Sequence, residues 1–435
     1  MNLAKLLERN GKAYADRVAL SVGAAPHATY RDLARRAFAI AHGLKTRYGL
    51  STGQRVAVVM TNRPEFWEVM FGIWGAGLVA VPVNAKLHTS EFEYILSNAG
   101  ARLCFISPDL GATLGPLAGR VDGLGEIVDC ESAEYLRLRG SDPGPFVPAP
   151  AKPTDVAWLF YTSGTTGRPK GAMLTHRNLL VMIYSHLMDV DAVGCADSVL
   201  HAAPVSHGSG MVGLVHFAQG GNNVFPESGG FDPAEIYELL PHHPGVSLFA
   251  APTMVIRLCA ALRTGAFDVT NFKTIVYGGG PMYLADLRRA LELLGPRFAQ
   301  IYGQGEAPMS ITALPKHFHT ATEHPRYLER LASVGIPRSG VELRVVDEAM
   351  QSLPAGAMGE VAVRGDIVMA GYWNNPEATA STVRDGWLRT GDVGILDSDG
   401  FLSLRDRSKD LIIAGGSNIY PREVEEVLLR HPSVG

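Results

Sequence analysis

At 435 residues the chain is longer than one ordinary domain and has room for roughly three compact units around a sizeable core. Hydrophobic residues at 46% against 19% charged exclude a disordered or fibrous chain, and 48 Gly with 27 Pro point to a loop-rich globular enzyme. The formal net charge of −4, without a long Lys/Arg run, argues against nucleic acid as a partner.

The first twenty residues lack the uninterrupted apolar core of a secretion signal. From Tyr30 to Ile106 the pattern alternates. An amphipathic RDLARRAFAIAHGL is followed by an apolar RVAVVM, a helical PEFWEVMFGIWGAG, then VAVPV, EFEYILSNAG and RLCFI. Short β-rich runs separated by helix-length segments predict βαβ units and a mostly parallel, helix-covered sheet. The longest apolar run, Phe71 to Val83, is too short to span a bilayer and reads as a buried helix-to-strand corner. Residues 141–154, SDPGPFVPAPAKPT, predict a connecting loop. The alternation returns between Ser198 and Ile301, with SVLHAAPV, VSLFAAP, KTIVYGGG and AQIYG as strands. From Ser333 short strands with close turns predict a smaller antiparallel region. Cys104, Cys130, Cys195 and Cys259 form no Cys-x-x-Cys pair, so neither a zinc site nor a disulfide framework is expected, and a reducing cytoplasm fits. His317, His319 and His324 complete no known metal pattern and are expected on an exposed loop.

The most informative run is YTSGTTGRPKG, Tyr161 to Gly171, directly after the strand-like VAWLF. Three glycines, four Ser/Thr hydroxyls and one lysine fall within eleven residues. Glycines let backbone N–H groups crowd an anion, hydroxyls add donors, and Lys170 offers a compact positive charge, so a triphosphate is the natural occupant. The spacing does not fit the Walker pattern, because Gly164 and Gly167 are too close together and Gly171 follows Lys170.

This run resembles the phosphate-binding loop of the adenylate-forming superfamily, which includes acyl- and aryl-CoA synthetases, luciferases and the adenylation domains of peptide synthetases. Further motifs resembling that superfamily follow in order to the end of the chain. The resemblance implies an α/β fold: a large N-terminal lobe of two α/β subdomains plus a small antiparallel β-subdomain, with only the start of a small mobile C-terminal domain. The expected division is 1–406 for the lobe, 407–410 for the hinge and 411–435 for the beginning of a truncated C-terminal domain.

Residue by residue, the resemblance assigns Thr162, Ser163, Gly164, Thr165, Thr166, Gly167 and Lys170 to the phosphates. It assigns Gly278, Gly279 and Gly280 to one face of adenine and Tyr302 to the other. Asp392 and Arg407 go to the ribose, Glu306 to Mg²⁺ and Lys409 to the hinge. Lys170, His207 and Glu306 are the expected catalytic residues. The acid pocket is expected among His207, Gly208, Met211, Tyr277, Gln304 and Met309, with Tyr184, Ala251 and Pro252 as weaker candidates. No Arg or Lys stands out there for a second carboxylate, which favours an aryl or fatty monocarboxylic acid. One position departs from the family pattern: Gly305 stands where Thr is usual, which predicts the loss of one donor to the α-phosphate or acyl carboxylate.

The function implied is an ATP-dependent acid–CoA ligase. It forms an acyl-adenylate with release of pyrophosphate, then an acyl thioester on coenzyme A, with ATP, Mg²⁺ and CoA as cofactors and co-substrate. The family's late C-terminal lysine has no counterpart before Gly435, so this chain is expected to bind ATP or an acyl-adenylate while adenylating poorly. Two alternatives stay open: an adenylation domain loading a carrier-protein thiol, and a non-catalytic nucleotide-binding relative. A homodimer stays open as well, and no membrane span is expected.

Overall fold

The computed structural model of the protein describes residues 1–162, 168–407, 412–414, 417–419 and 428. Among these, the first alternating region forms a six-stranded sheet. Strands Arg55–Val59, Val79–Val83, Ala101–Ile106, Glu126–Asp129 and Val156–Thr162 run parallel, and Lys170–Thr175 closes one edge antiparallel. Helices Glu65–Gly75 and Thr89–Ala99 supply crossovers, as parallel neighbours require. Helix Tyr30–Thr46 starts at a reciprocal cap: the Asp32 N–H donates to the Thr29 hydroxyl and the Thr29 N–H to the Asp32 carboxylate.

A second, nine-stranded sheet contains all four strands expected after Ser198. Its order in space is Ile336–Pro337, Ala307–Leu314, Phe298–Gln304, Phe272–Tyr277, Val246–Ala250, Ser198–Leu200, Asn222–Phe225, Val18–Val22 and Ala25–Thr29. The strands from Phe298–Gln304 to Val18–Val22 are parallel, and antiparallel strands flank them on both sides. The N-terminal hairpin thus belongs to the later sheet, which the sequence pattern did not reveal. Residues 141–154 carry no helix or strand, as expected.

Helix Glu65–Gly75 is buried along its whole length and ties the two layers together. Trp74 lies 6.4 Å from Trp158 of the first sheet, while Trp67 and Phe71 lie 5.0 and 5.1 Å from Phe217 on helix Gly208–Gln219. The expected helix-to-strand corner is therefore a core element, and each buried large apolar side chain adds about 2–3 kcal/mol. Its one deeply buried charge, Glu68, accepts from Arg36 (2.9 Å) and Tyr135 (2.8 Å) and pairs with Arg139 (3.2 Å), as a charge removed from water must. The region after Ser333 forms the expected antiparallel sheet from Glu342–Val346, Met358–Arg364, Val383–Arg384, Trp387–Leu396 and Leu402–Arg407. No helix among the described residues is long and apolar enough to cross a membrane.

The histidine cluster is exposed only in part, at His317. Residues Lys316–Thr320 make a short helix that turns His319 inward, where its Nε2 meets the Tyr277 hydroxyl at 3.0 Å. His201, His216 and His319 are all held by burial at about 4, well below the ordinary imidazole value. Between pH 6.5 and 4 the unfolded chain binds more protons at these positions than the folded one, so stability is complete above that window and is lost as pH falls through it. At pH 5 the cost is roughly 2 kcal/mol per histidine. The thermal midpoint is expected to drop by several degrees between pH 7 and pH 5, and a midpoint independent of pH over that range would contradict the assignment.

Candidate active site

Strands Val156–Thr162 and Lys170–Thr175 are antiparallel neighbours, with Thr162 opposite Lys170. Both ends of the glycine- and hydroxyl-rich turn are therefore pinned to the sheet edge, while Ser163, Gly164, Thr165, Thr166 and Gly167 lie outside the described residues. Glu306 sits at the tip of the hairpin joining Phe298–Gln304 to Ala307–Leu314 in the other sheet. The strand end at Thr162 meets this hairpin tip, the Thr162 hydroxyl lying 3.4 Å from Oε1 of Glu306. The same oxygen accepts from the Tyr372 hydroxyl at 2.6 Å, and among the described residues nothing donates to Oε2.

Tyr372 was not anticipated. Residues 370–373 run beside strand Lys170–Thr175, with Met173 N–H donating to Gly371 and Trp373 N–H to Gly171. This pairing lays the Tyr372 ring beneath Lys170, whose Nζ is 5.2 Å from the ring centroid. Burial and the Glu306 charge raise the Tyr372 phenol above its ordinary value, so it remains a neutral donor. A lysine, a carboxylate and a neutral hydroxyl thus share one corner beside Thr162.

The acid expected at the ribose is built from the other side of the Glu306 hairpin. Asp392, on strand Trp387–Leu396, is buried, and its Oδ2 accepts from the Tyr302 hydroxyl (2.5 Å) and from Gln304 Nε2 (2.7 Å). Gln304 Nε2 also donates to the Thr390 carbonyl at 2.8 Å. Gln304 is therefore tied through its amide to Asp392. The backbone of Arg407 pairs opposite Asp392. Gly278, Gly279 and Gly280 follow directly on strand Phe272–Tyr277, in the same layer as Tyr302. Lys409 lies outside the described residues.

On the acid side, His207 precedes helix Gly208–Gln219 and accepts or donates at Nδ1 with the Ser206 hydroxyl, 2.9 Å away. Burial lowers its imidazole below the ordinary value, so it is neutral at pH 7. The Phe160 ring stands edge-on to it at 5.1 Å. A Cβ on Gly208 would lie 2.7 Å from the Phe249 ring and 3.1 Å from Met309 Sδ, so these two side chains close over that helix start. Of the other expected lining residues, Met211 is buried in the main core, and the Tyr277 side chain is fully buried against Phe298 and His319. Tyr184 is 51% exposed on the outer surface of helix His176–Asp189. Ala251 and Pro252 begin helix Pro252–Thr264, within reach of Gly280.

Gly305 is explained by space. A Cβ there would strike the Thr162 methyl and approach Phe160 Cδ1 to 2.6 Å, closer than carbon atoms come without displacement. The absent side chain is the clearance that lets Phe160 reach His207.

Known proteins similar to this chain point to one family. Residues 7–373 match the family described as AMP-binding enzyme. Feruloyl-CoA synthase from an Amycolatopsis species is 36% identical over 408 residues, covering 93% of this chain and 79% of that protein. The fatty acid–[acyl-carrier-protein] ligase ScoC of Streptomyces coeruleorubidus is 34% identical, covering 93% of this chain and 77% of that protein. The crystal structure of the anthranilate CoA ligase AuaEII with anthranoyl-AMP superimposes with a TM-score of 0.88 at 26% identity, covering 100% of this chain and 82% of that one.

Proposed function

The chain belongs to the AMP-binding enzyme family, and on that premise we propose that it is an ATP-dependent acid–CoA ligase acting on an aryl monocarboxylate. The observation that carries this reading is the corner where Lys170 and Glu306 share Tyr372 beside Thr162. A cation for phosphate oxygens, a carboxylate and neutral donors are the groups a triphosphate needs, and here they come from two different sheets.

In the first half-reaction a carboxylate oxygen of the acid attacks the α-phosphorus of ATP, and pyrophosphate leaves with the electrons of the broken P–O bond. Lys170 meets charge on the phosphates, and residues 163–167 add donors around them. Glu306 would hold Mg²⁺, because such an ion takes one or two protein carboxylates plus phosphate oxygens and Oε2 of Glu306 has no donor among the described residues. When bound, the ion offsets phosphate charge and assists the leaving group. Asp392, fixed by Tyr302 and Gln304, accepts from the ribose hydroxyls. In the second half-reaction the sulfur of CoA attacks the acyl carbon, AMP departs with the electrons of the C–O bond, and the thiol proton passes to solvent. Neutral His207 and the edge of Phe160 flank the carboxylate throughout, and no nucleophile from the protein is used.

An aryl acid is favoured by the rings of Phe160 and Phe249 and the Met309 thioether around Gly208, and by the activity named for the feruloyl-CoA synthase relative. A carrier-protein thiol as acceptor is the second reading, favoured by the likeness to ScoC. We assign 1–406 to the nucleotide- and acid-binding lobe, 407–410 to a hinge and 411–435 to a segment separate from the lobe. The four unpaired cysteines fit work in a reducing cytoplasm.

The test pairs binding with turnover. Benzoyl- and octanoyl-sulfamoyl adenosine are titrated calorimetrically, and ATP–pyrophosphate exchange is measured with benzoate, cinnamate and octanoate. The aryl members are expected to be preferred by about tenfold or more. No binding of either analogue would sink the ligase reading, and preference for octanoyl would sink the aryl one. Offering CoA and a loaded carrier protein in parallel decides the acceptor.

A further inference from the structure

Arg338 is a large charged residue that no sequence pattern singles out. It is 2% exposed, directly after strand Ile336–Pro337 on the edge of the second sheet. Its guanidinium faces main-chain carbonyls: Nη1 donates to Met309 O at 2.6 Å, Nη2 lies 3.4 Å from Met182 O, and Nε has no partner among the described residues. Asp189 is the opposite charge nearby, occupied with the backbone N–H and hydroxyl of Ser339. Burying a charge this way is unfavourable, and an apolar side chain of similar volume would avoid the cost.

The carbonyl it holds is unusual. Met309 lies in the left-handed region, φ 54, where a long side chain is rarely found. The strand pairing slips at this point, with Gln304 facing both Ala307 and Pro308. The Met309 backbone is also pressed against Gly303, where a Cβ would come to 2.5 Å from Met309 Cα. This turn places Met309 Sδ beside Gly208 and Phe249, at the wall assigned above to the acid.

We propose that Arg338 is a specificity-determining positioning residue: by gripping the Met309 carbonyl it fixes the turn that lays the Met309 thioether against Phe249 and Gly208, and so shapes the pocket for a flat, ring-bearing acid. The proposal rests on the acid-pocket reading. Arg338 touches neither acid nor nucleotide and acts through Met309. Losing its grip frees the wall while leaving Lys170, Glu306 and Asp392 in place.

The experiment measures Kd for ATP, benzoyl-sulfamoyl adenosine and octanoyl-sulfamoyl adenosine in the unaltered chain, Arg338→Met, Arg338→Lys, Met309→Ala and the Arg338→Met/Met309→Ala double variant. Arg338→Met is expected to lower the benzoyl-over-octanoyl preference about tenfold while the ATP Kd stays within about twofold. Met309→Ala is expected to lower it similarly, and the double variant no further, because both changes act on one wall. Should Arg338→Met not fold, Arg338→Lys carries the test with a smaller loss of preference and an unchanged ATP Kd. Equal weakening of all three ligands, an unchanged preference in both Arg338 variants, or additive effects in the double variant would overturn the proposal. If Met309→Ala alone leaves the preference untouched, the acid-pocket reading fails. If it shifts the preference and the Arg338 variants do not, only the positioning role fails.

Discussion

Glu306→Gln is expected to remove the Mg²⁺-dependent gain in ATP affinity and to lower acid-dependent ATP–pyrophosphate exchange further below the already low level expected of this chain. Gln has nearly the same shape and keeps one oxygen to accept from Tyr372 and Thr162, so the corner where the two sheets meet is retained. What disappears is the negative charge. A neutral amide is a far weaker ligand for a hard cation, and the loss is felt most when charge builds up on the departing pyrophosphate. ATP affinity without divalent cation, read by calorimetry, is expected to change little. An exchange rate within about threefold of the unaltered chain, with the Mg²⁺ effect on ATP binding intact, would remove Glu306 from the site.

Gly305→Thr is expected to damage the site. Read from sequence alone, the glycine is a missing donor, and restoring threonine should help. The structure reverses this, because the volume a threonine needs is filled by Phe160 and the Thr162 methyl. Overpacking of this kind costs about 1–3 kcal/mol, and Phe160 can yield only by leaving His207. Affinity for benzoyl-sulfamoyl adenosine is expected to fall by about 10–10²-fold, which corresponds to that cost spent at the pocket wall. Adding Phe160→Ala to Gly305→Thr is expected to recover part of the lost stability, because the contested space is released. If Gly305→Thr alone raises both affinity and exchange, the lost-donor reading was right and the clearance reading wrong.

The strands and helices were legible because each follows a local pattern. RVAVVM, VAVPV and KTIVYGGG are apolar runs ended by turn residues, and Thr29 with Asp32 caps a helix in three residues. The meeting of Lys170 with Glu306 was not legible from spacing, since about 140 residues separate them; the family resemblance pointed to a shared cavity. Tyr372, Phe160 and Arg338 had no such pointer. Tyr372 reaches Glu306 only because 370–373 pairs with a strand two hundred residues earlier in the chain, and Phe160 matters only because Gly305 leaves room. The resemblance brings Tyr277 and Gln304 to the acid by position along the chain, but the two faces of a strand send side chains in opposite directions. The Tyr277 ring goes into the core with His319, and the Gln304 amide goes to Asp392. The N-terminal hairpin was missed because VALSV is short and its partner strand, Asn222–Phe225, lies far along the chain.

The central claim is that Lys170 and Glu306 face one bound triphosphate, and diffraction from crystals soaked with ATP and Mn²⁺ in place of Mg²⁺ tests it most directly. The account predicts an anomalous peak about 2.1 Å from a Glu306 carboxylate oxygen, with phosphate density between that peak and Lys170. A triphosphate bound elsewhere, or a metal peak remote from Glu306, would contradict it.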